Sequence, residues 1–179
     1  MTRLALAATA LLAASLASPV AAQEAFVGVL AHEVETPLTF AVEEEGVDIQ
    51  LGYRFARQEA LDFLGKPQPY LLASINTAGD TSFVGAGLAW RIEAGRVYVR
   101  PGLGMVVHDG PKTRTSPITG KRTDLGSRVL FEPELSVGIA LSPRISAEAT
   151  WVHISHAQIF NTEQNPGIDM MGVRLNFAL

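Results

Sequence analysis

The chain has 179 residues, 18% of them charged, a formal net charge of −4 and no cysteine. A balance so close to neutral excludes an electrostatic hold on nucleic acid. The missing thiols exclude a disulfide framework, a thiol nucleophile and a cysteine-ligated metal.

The first residues carry the three parts of a secretory signal: a basic start at Arg3, an apolar run from Leu4 to about Leu16, and the small-residue site Val20-Ala21-Ala22. Residues 1–22 are therefore expected to be a signal peptide cut after Ala22, leaving residues 23–179 as one domain. An uncleaved anchor helix is the poorer reading, because the run is short for ~30 Å of hydrocarbon and ends in Ser-Pro. Beyond it no stretch of about eighteen apolar residues occurs, so any membrane crossing has to be made by strands. Glu43-Glu44-Glu45 reads as a solvated loop.

Period-two alternation then dominates. A weak strand near Ala25–Ala31 precedes Val47, Ile49, Leu51, Tyr53 and Phe55, which interleave with Asp48, Gln50, Gly52 and Arg54. The Ala56–Pro69 connection is long and points to a helical turn at Glu59–Leu64. A strand near Tyr70–Asn76 follows, then the apolar rows Val84 to Ile92 and Val97 to Val107. Val129 to Leu141 sets one apolar row against Leu130, Glu132, Glu134, Ser136, Gly138 and Ala140. A strand over Ile145–Ser155 and a last one with Met171, Val173, Leu175, Phe177 and Leu179 complete a count of eight. Eight strands of ~10 residues match the smallest antiparallel transmembrane β-barrels.

A soluble lipocalin-like barrel would show the same alternation. Three features favour the membrane. The polar faces carry both signs of charge, at Asp48, Arg54, Arg100, Glu132, Glu134, Glu148 and Arg174, which can pair in a narrow polar lumen but are costly in an apolar cavity. Tight connections at Glu93–Arg96 and Ser142–Arg144 alternate with long ones at Asp109–Ser127 and Ala157–Ile168, as periplasmic turns alternate with extracellular loops. The last strand runs to the final residue with an alternating apolar row.

Chemistry is sought where a polar residue interrupts a lipid-facing row. Ile145, Ala147, Ala149 and Trp151 continue by parity to His153 and Ser155, and Asp169 shares the parity of Met171 and Val173. With a periplasmic N-terminus these three lie at the outer ends of the last two strands. Residues two apart on a strand are ~6.6 Å apart, so His153 can meet Ser155 while Asp169 reaches the imidazole from the next strand. That is a nucleophile, a base and an orienter. The bland reading is that polar strand ends simply sit in the headgroup zone. No metal site is expected: His153 and His156 diverge on a strand, and His32 and His108 lack ligand spacing. The lumen charges read as a structural network.

The segment His153-Ile154-Ser155-His156-Ala157, with Asn165-Pro166-Gly167-Ile168-Asp169 and the closing strand, resembles the active-site region of the lipid A 3-O-deacylases, the PagL-like outer-membrane acyl hydrolases. Gly126 to Phe131 and Asn76 to Thr81 are similar to other stretches of that family, so the resemblance spans most of the mature chain. It implies Ser155 as nucleophile, His153 as general base, Asp169 as the acidic orienter, and no cofactor. Two departures stand out. His156 replaces the family's Asn, whose amide helps hold the oxyanion, and Asp169 is shorter than the Glu of some members. A backbone N–H near Ala157 or Gln158, or a protonated His156, is the substitute oxyanion donor.

The leading expectation is an integral outer-membrane esterase acting on lipid A, or lipopolysaccharide, as monomer or homodimer. Its rival is a non-catalytic barrel of structural or adhesive role, whose Asp109–Ser127 loop offers Lys112, Arg114, Lys121 and Arg122 to lipopolysaccharide phosphates or a host surface. A calcium-dependent phospholipase is the least favoured, since a larger barrel is expected for it.

Overall fold

The computed structural model describes residues 23–39, 42–111, 113–159 and 165–179. The expected signal peptide and Lys112 lie outside the described residues. The alternating segments form β1 (Glu24–Ala31), β2 (Val47–Arg54), β3 (Gln68–Asn76), β4 (Phe83–Ala89), β5 (Ile92–Ala94), β6 (Val97–His108), β7 (Val129–Ala140), β8 (Ile145–Ile154) and β9 (Ile168–Ala178). Successive strands pair antiparallel from β1 to β4 and from β5 to β9, and β1 pairs with β9. β4 and β5 both pair with β6, so they form one stave interrupted at Trp90-Arg91. The eight staves close into a barrel with no free edge, which satisfies every ladder in hydrocarbon.

The expected helical turn is present as a 3-10 turn at Glu59–Leu64, on the end that carries the termini and tight turns. Among the described residues no helix is long and apolar enough to cross a membrane; the strands make the crossing.

Side-chain parity divides the wall as the sequence implies. Val29, Leu51, Val84, Leu103, Leu135 and Val173 are exposed on the outside, whereas Arg54, Arg100, Glu132, Glu148 and Arg174 are buried inside. A buried charge needs partners, and here the partners are shared. Arg100 lies 2.8 Å from Glu24 and 3.0 Å from Glu148, Arg54 lies 3.5 Å from Glu148, and Arg174 lies 2.6 Å from Glu134. Tyr70 donates to Glu132, and the Tyr98 hydroxyl donates to Glu148 at 3.0 Å and lies 2.8 Å from the Ser146 hydroxyl. The Tyr98 ring lies where a Cβ on its cross-strand partner Gly138 would be, 2.2 Å from its Cζ, so only glycine fits opposite it. Glu24 and the two tyrosines join the network without having stood out in the sequence, because each sits in a strand whose charge pattern is weak.

One expectation is corrected. Glu44 is not a solvated loop residue: it is buried, pairs with His32 at 2.8 Å, accepts from Thr81 at 2.8 Å and also binds Arg114. Glu43 and Glu45 do stay exposed. Three acids in a row cannot all face water once the loop folds back across the barrel mouth, and the middle one turns toward the basic groups there.

Candidate active site

The β8–β9 register is unbroken from Ile145↔Phe177 to Ile154↔Ile168 and pairs His153 directly with Asp169. One further antiparallel bridge, Phe131↔Ser155, extends the β7–β8 register past the end of β8, with Phe131 N–H donating to Ser155 O at 2.7 Å. No bulge intervenes, so His153, Ser155 and Asp169 all keep the outward parity of Trp151 and Met171, at the end of the barrel where the long loops emerge. All three are nevertheless buried, Asp169 completely, because the loops fold against this flank.

The imidazole is fixed from several sides. His153 Nδ1 lies 2.9 Å from Asp169 Oδ1. Trp151 stacks on the ring at 6.1 Å between centroids and 25° between planes, and its Nε1–H donates to the same Asp169 Oδ1 at 2.8 Å. Thr36, from the loop after β1, donates its hydroxyl to Asp169 Oδ2. Gly167, at φ +66°, closes the far side: a Cβ there would lie 2.8 Å from His153 Cε1. With Nδ1 on the acid, the His153 Nε2 is the nitrogen left for a proton from Ser155 or a substrate. Among the described residues no hydrogen bond joins Ser155 Oγ to the ring.

After Ser155 the chain leaves the sheet. His156 is wholly buried and its N–H is held by Asn165 Oδ1 at 3.1 Å, so that N–H is already engaged. Ala157 and Gln158 are exposed and adopt left-handed conformations, φ +52° and +58°, which costs roughly 1–2 kcal/mol per non-glycine residue. Among the described residues neither N–H donates a hydrogen bond within the backbone. They are the next two backbone N–H groups in the chain after that of His156. Sequence reasoning missed Thr36, Trp151 and Gly167 as parts of this site; Trp151 reads as one of a lipid-facing row, and Thr36 lies more than a hundred residues from Asp169.

Further down the outer flank of β8 the small side chains of Ala147 and Ala149 floor an apolar furrow of about 680 Å³, walled by Val29, Val137, Val173 and Leu175. It lies below the polar cluster, not at it, on the same outward row. Among the described residues no group of three or more His, Asp or Glu side chains is placed to hold a metal ion.

A closed antiparallel barrel with an apolar outer belt, a charged lumen and a polar cluster at the outer rim defines an integral outer-membrane β-barrel protein. The family model for lipid A 3-O-deacylase (PagL) matches residues 47–178, and the chain belongs to that family. In fold it is similar to the crystal structure of the outer membrane enzyme PagL, with a TM-score of 0.58 at 15% identity, over 89% of this chain and 100% of that one. It is also similar to Neisserial surface protein A (TM-score 0.59, 10% identity, 88% and 97% covered) and to a de novo designed transmembrane β-barrel (TM-score 0.53, 9% identity, 90% and 98% covered). Among curated protein sequences none matches the chain.

Proposed function

We propose that this protein is a lipid A 3-O-deacylase that works by serine esterase chemistry on the outside of its barrel. The observation that carries the reading is the cross-strand pair His153–Asp169, joined at 2.9 Å on the face that also bears Ser155. Ser155 Oγ attacks the carbonyl of the 3-O-acyl ester and its proton passes to His153 Nε2. Asp169 fixes the tautomer and faces the imidazolium as it forms. The oxyanion is received by the Ala157 and Gln158 N–H groups, whose left-handed backbone frees them for a developing charge. Collapse expels the lipid A 3-hydroxyl, which takes the proton back from His153. Water, activated by the same base, then releases the fatty acid and restores Ser155. The site meets its substrate in the outer leaflet, where the ester lies near the hydrocarbon boundary, and the Ala147–Ala149 furrow offers an apolar surface below it. This mechanism requires no cofactor.

The second reading is a non-catalytic barrel of structural or adhesive role, built on the fold that the chain shares with Neisserial surface protein A. Its proposed loop cations are partly spent inside the protein, Arg114 on Glu44 and Arg122 on Asp124. Mass spectrometry of lipid A from cells expressing the wild type or Ser155→Ala separates the two. Loss of one 3-hydroxyacyl group with the wild type alone is expected. Lipid A left fully acylated by a correctly inserted wild type would overturn the enzyme reading.

A further inference from the structure

Asp169 is held by more than its histidine. Oδ1 accepts from both His153 Nδ1 and Trp151 Nε1, and Oδ2 accepts from the Thr36 hydroxyl. The Thr36 Oγ1 also accepts the Leu38 N–H at 3.0 Å, which leaves its single proton for Asp169. The same loop is tied to the strand end by Val34 N–H donating to Asp169 O at 2.8 Å. It is anchored at its base by His32, whose ring nitrogens lie 2.9 Å from Asp48 and 2.8 Å from Glu44.

We propose that Thr36 and Trp151 are positioning residues of the candidate active site, a two-sided clamp that aims Asp169 at His153. The inference rests on the serine esterase reading. A carboxylate on a short side chain has two torsions by which to turn from the imidazole, and one hydrogen bond does not fix both. Three donors on two oxygens do, and they also replace the water that full burial removes. An indole at the outer rim of a barrel ordinarily turns its N–H to the headgroups; here it is turned inward along the wall onto the acid. Thr36 lies before Val47, where the family match begins, so the first loop supplies a part of the site that the matched region does not contain.

The test uses the full-length protein folded in detergent, with purified lipid A as substrate and a fluorophosphonate to label Ser155. Thr36→Val and Trp151→Phe are each expected to lower kcat and the labelling rate roughly tenfold, the size of one hydrogen bond to a charged group, with KM held within about twofold. Thr36→Ser restores the rate. Added to Asp169→Asn, neither change costs anything further, because the carboxylate they aim is gone. Thr36→Val with full kcat, or a full additional loss in the Asp169→Asn background, would overturn the clamp while leaving the esterase reading intact. A wild type with neither turnover nor labelling would instead sink the esterase reading. The clamp is then judged on the Trp151 indole N–H resonance: movement in Asp169→Asn supports it, and an unchanged resonance overturns it.

Discussion

The lumen and the outer rim of β8–β9 both bury charged groups, and they satisfy them in opposite ways. In the lumen the arginines and acids share partners: Arg54 faces Glu24, Glu134 and Glu148, Arg100 faces two of the same acids, and Glu132 is met by the Tyr70 hydroxyl. Removing one partner leaves others, and no group is aimed at a point in space. At the rim the bonds converge instead on one acid, and that acid passes a single bond to one imidazole whose second nitrogen stays available. Distribution makes a scaffold rigid; convergence fixes the direction of one side chain. The contrast distinguishes a structural network from a candidate site where burial alone does not.

The sharpest way to break this contrast is to delete members on each side. Ser155→Ala and His153→Ala should each reduce deacylation by about 10³ or more, and the double change by a similar factor, because residues acting as one unit lose activity non-additively. Asp169→Asn should cost less, since the orienter does not touch substrate. All of these variants should still assemble and remain heat-modifiable on gels. Kinetics on lipid A check the order, and additive losses would break the single-unit reading.

In the lumen the signature should invert. Arg174→Met leaves the buried Glu134 only Arg54 at 4.0 Å in place of its 2.6 Å partner and should destabilise the barrel by about 3 kcal/mol in urea, with deacylation per folded molecule near that of the wild type. A specific loss of turnover at unchanged stability would mean that the lumen reaches the chemistry after all.

A smaller change sharpens the rim side. Gly167→Ala places a methyl 2.8 Å from His153 Cε1 at a backbone φ of +66°, and should lower kcat roughly tenfold while costing about 1 kcal/mol in stability. Comparing kcat with the unfolding midpoint tests it; equal activity would show that the imidazole tolerates displacement.

The smallest effect concerns the latch of the first loop. Burial disfavours the His32 imidazolium, yet hydrogen bonds to Asp48 and Glu44 outweigh it and raise the group from 6.5 to about 9. Burial likewise opposes the Glu44 carboxylate, but His32, Thr81 and Arg114 hold it down at about 2. A raised histidine contributes stability that is complete below 6.5 and lost as pH rises through 9. A lowered carboxylate contributes above its ordinary 4.5 and loses it as pH falls toward 2. The loop should therefore be tightest between these windows. Hydrogen exchange at the Val34 and Thr81 amides, corrected for intrinsic rate, should quicken from neutral pH toward 9, and His32→Gln should abolish the dependence.

Much of this was legible in the residues. Alternation alone gave the staves, the lumen charges and the outward parity of His153, Ser155 and Asp169, because a strand's two-residue period is a local property and the ladders here run without a slip. A helical turn at Glu59–Leu64 followed from the length of its connection; its 3-10 form is decided in the structure. What the sequence could not determine are the contacts made when distant segments meet across the closed barrel. Thr36 reaches Asp169 across 133 positions, Glu44 turns inward to His32 and Arg114, and Glu24 enters the lumen network opposite Arg100. Such pairings carry no period and no spacing. They exist only because closure brings the mouth loops and strand ends within hydrogen-bond reach, and there the cost of burying a polar group without a partner selects which side chains turn toward one another.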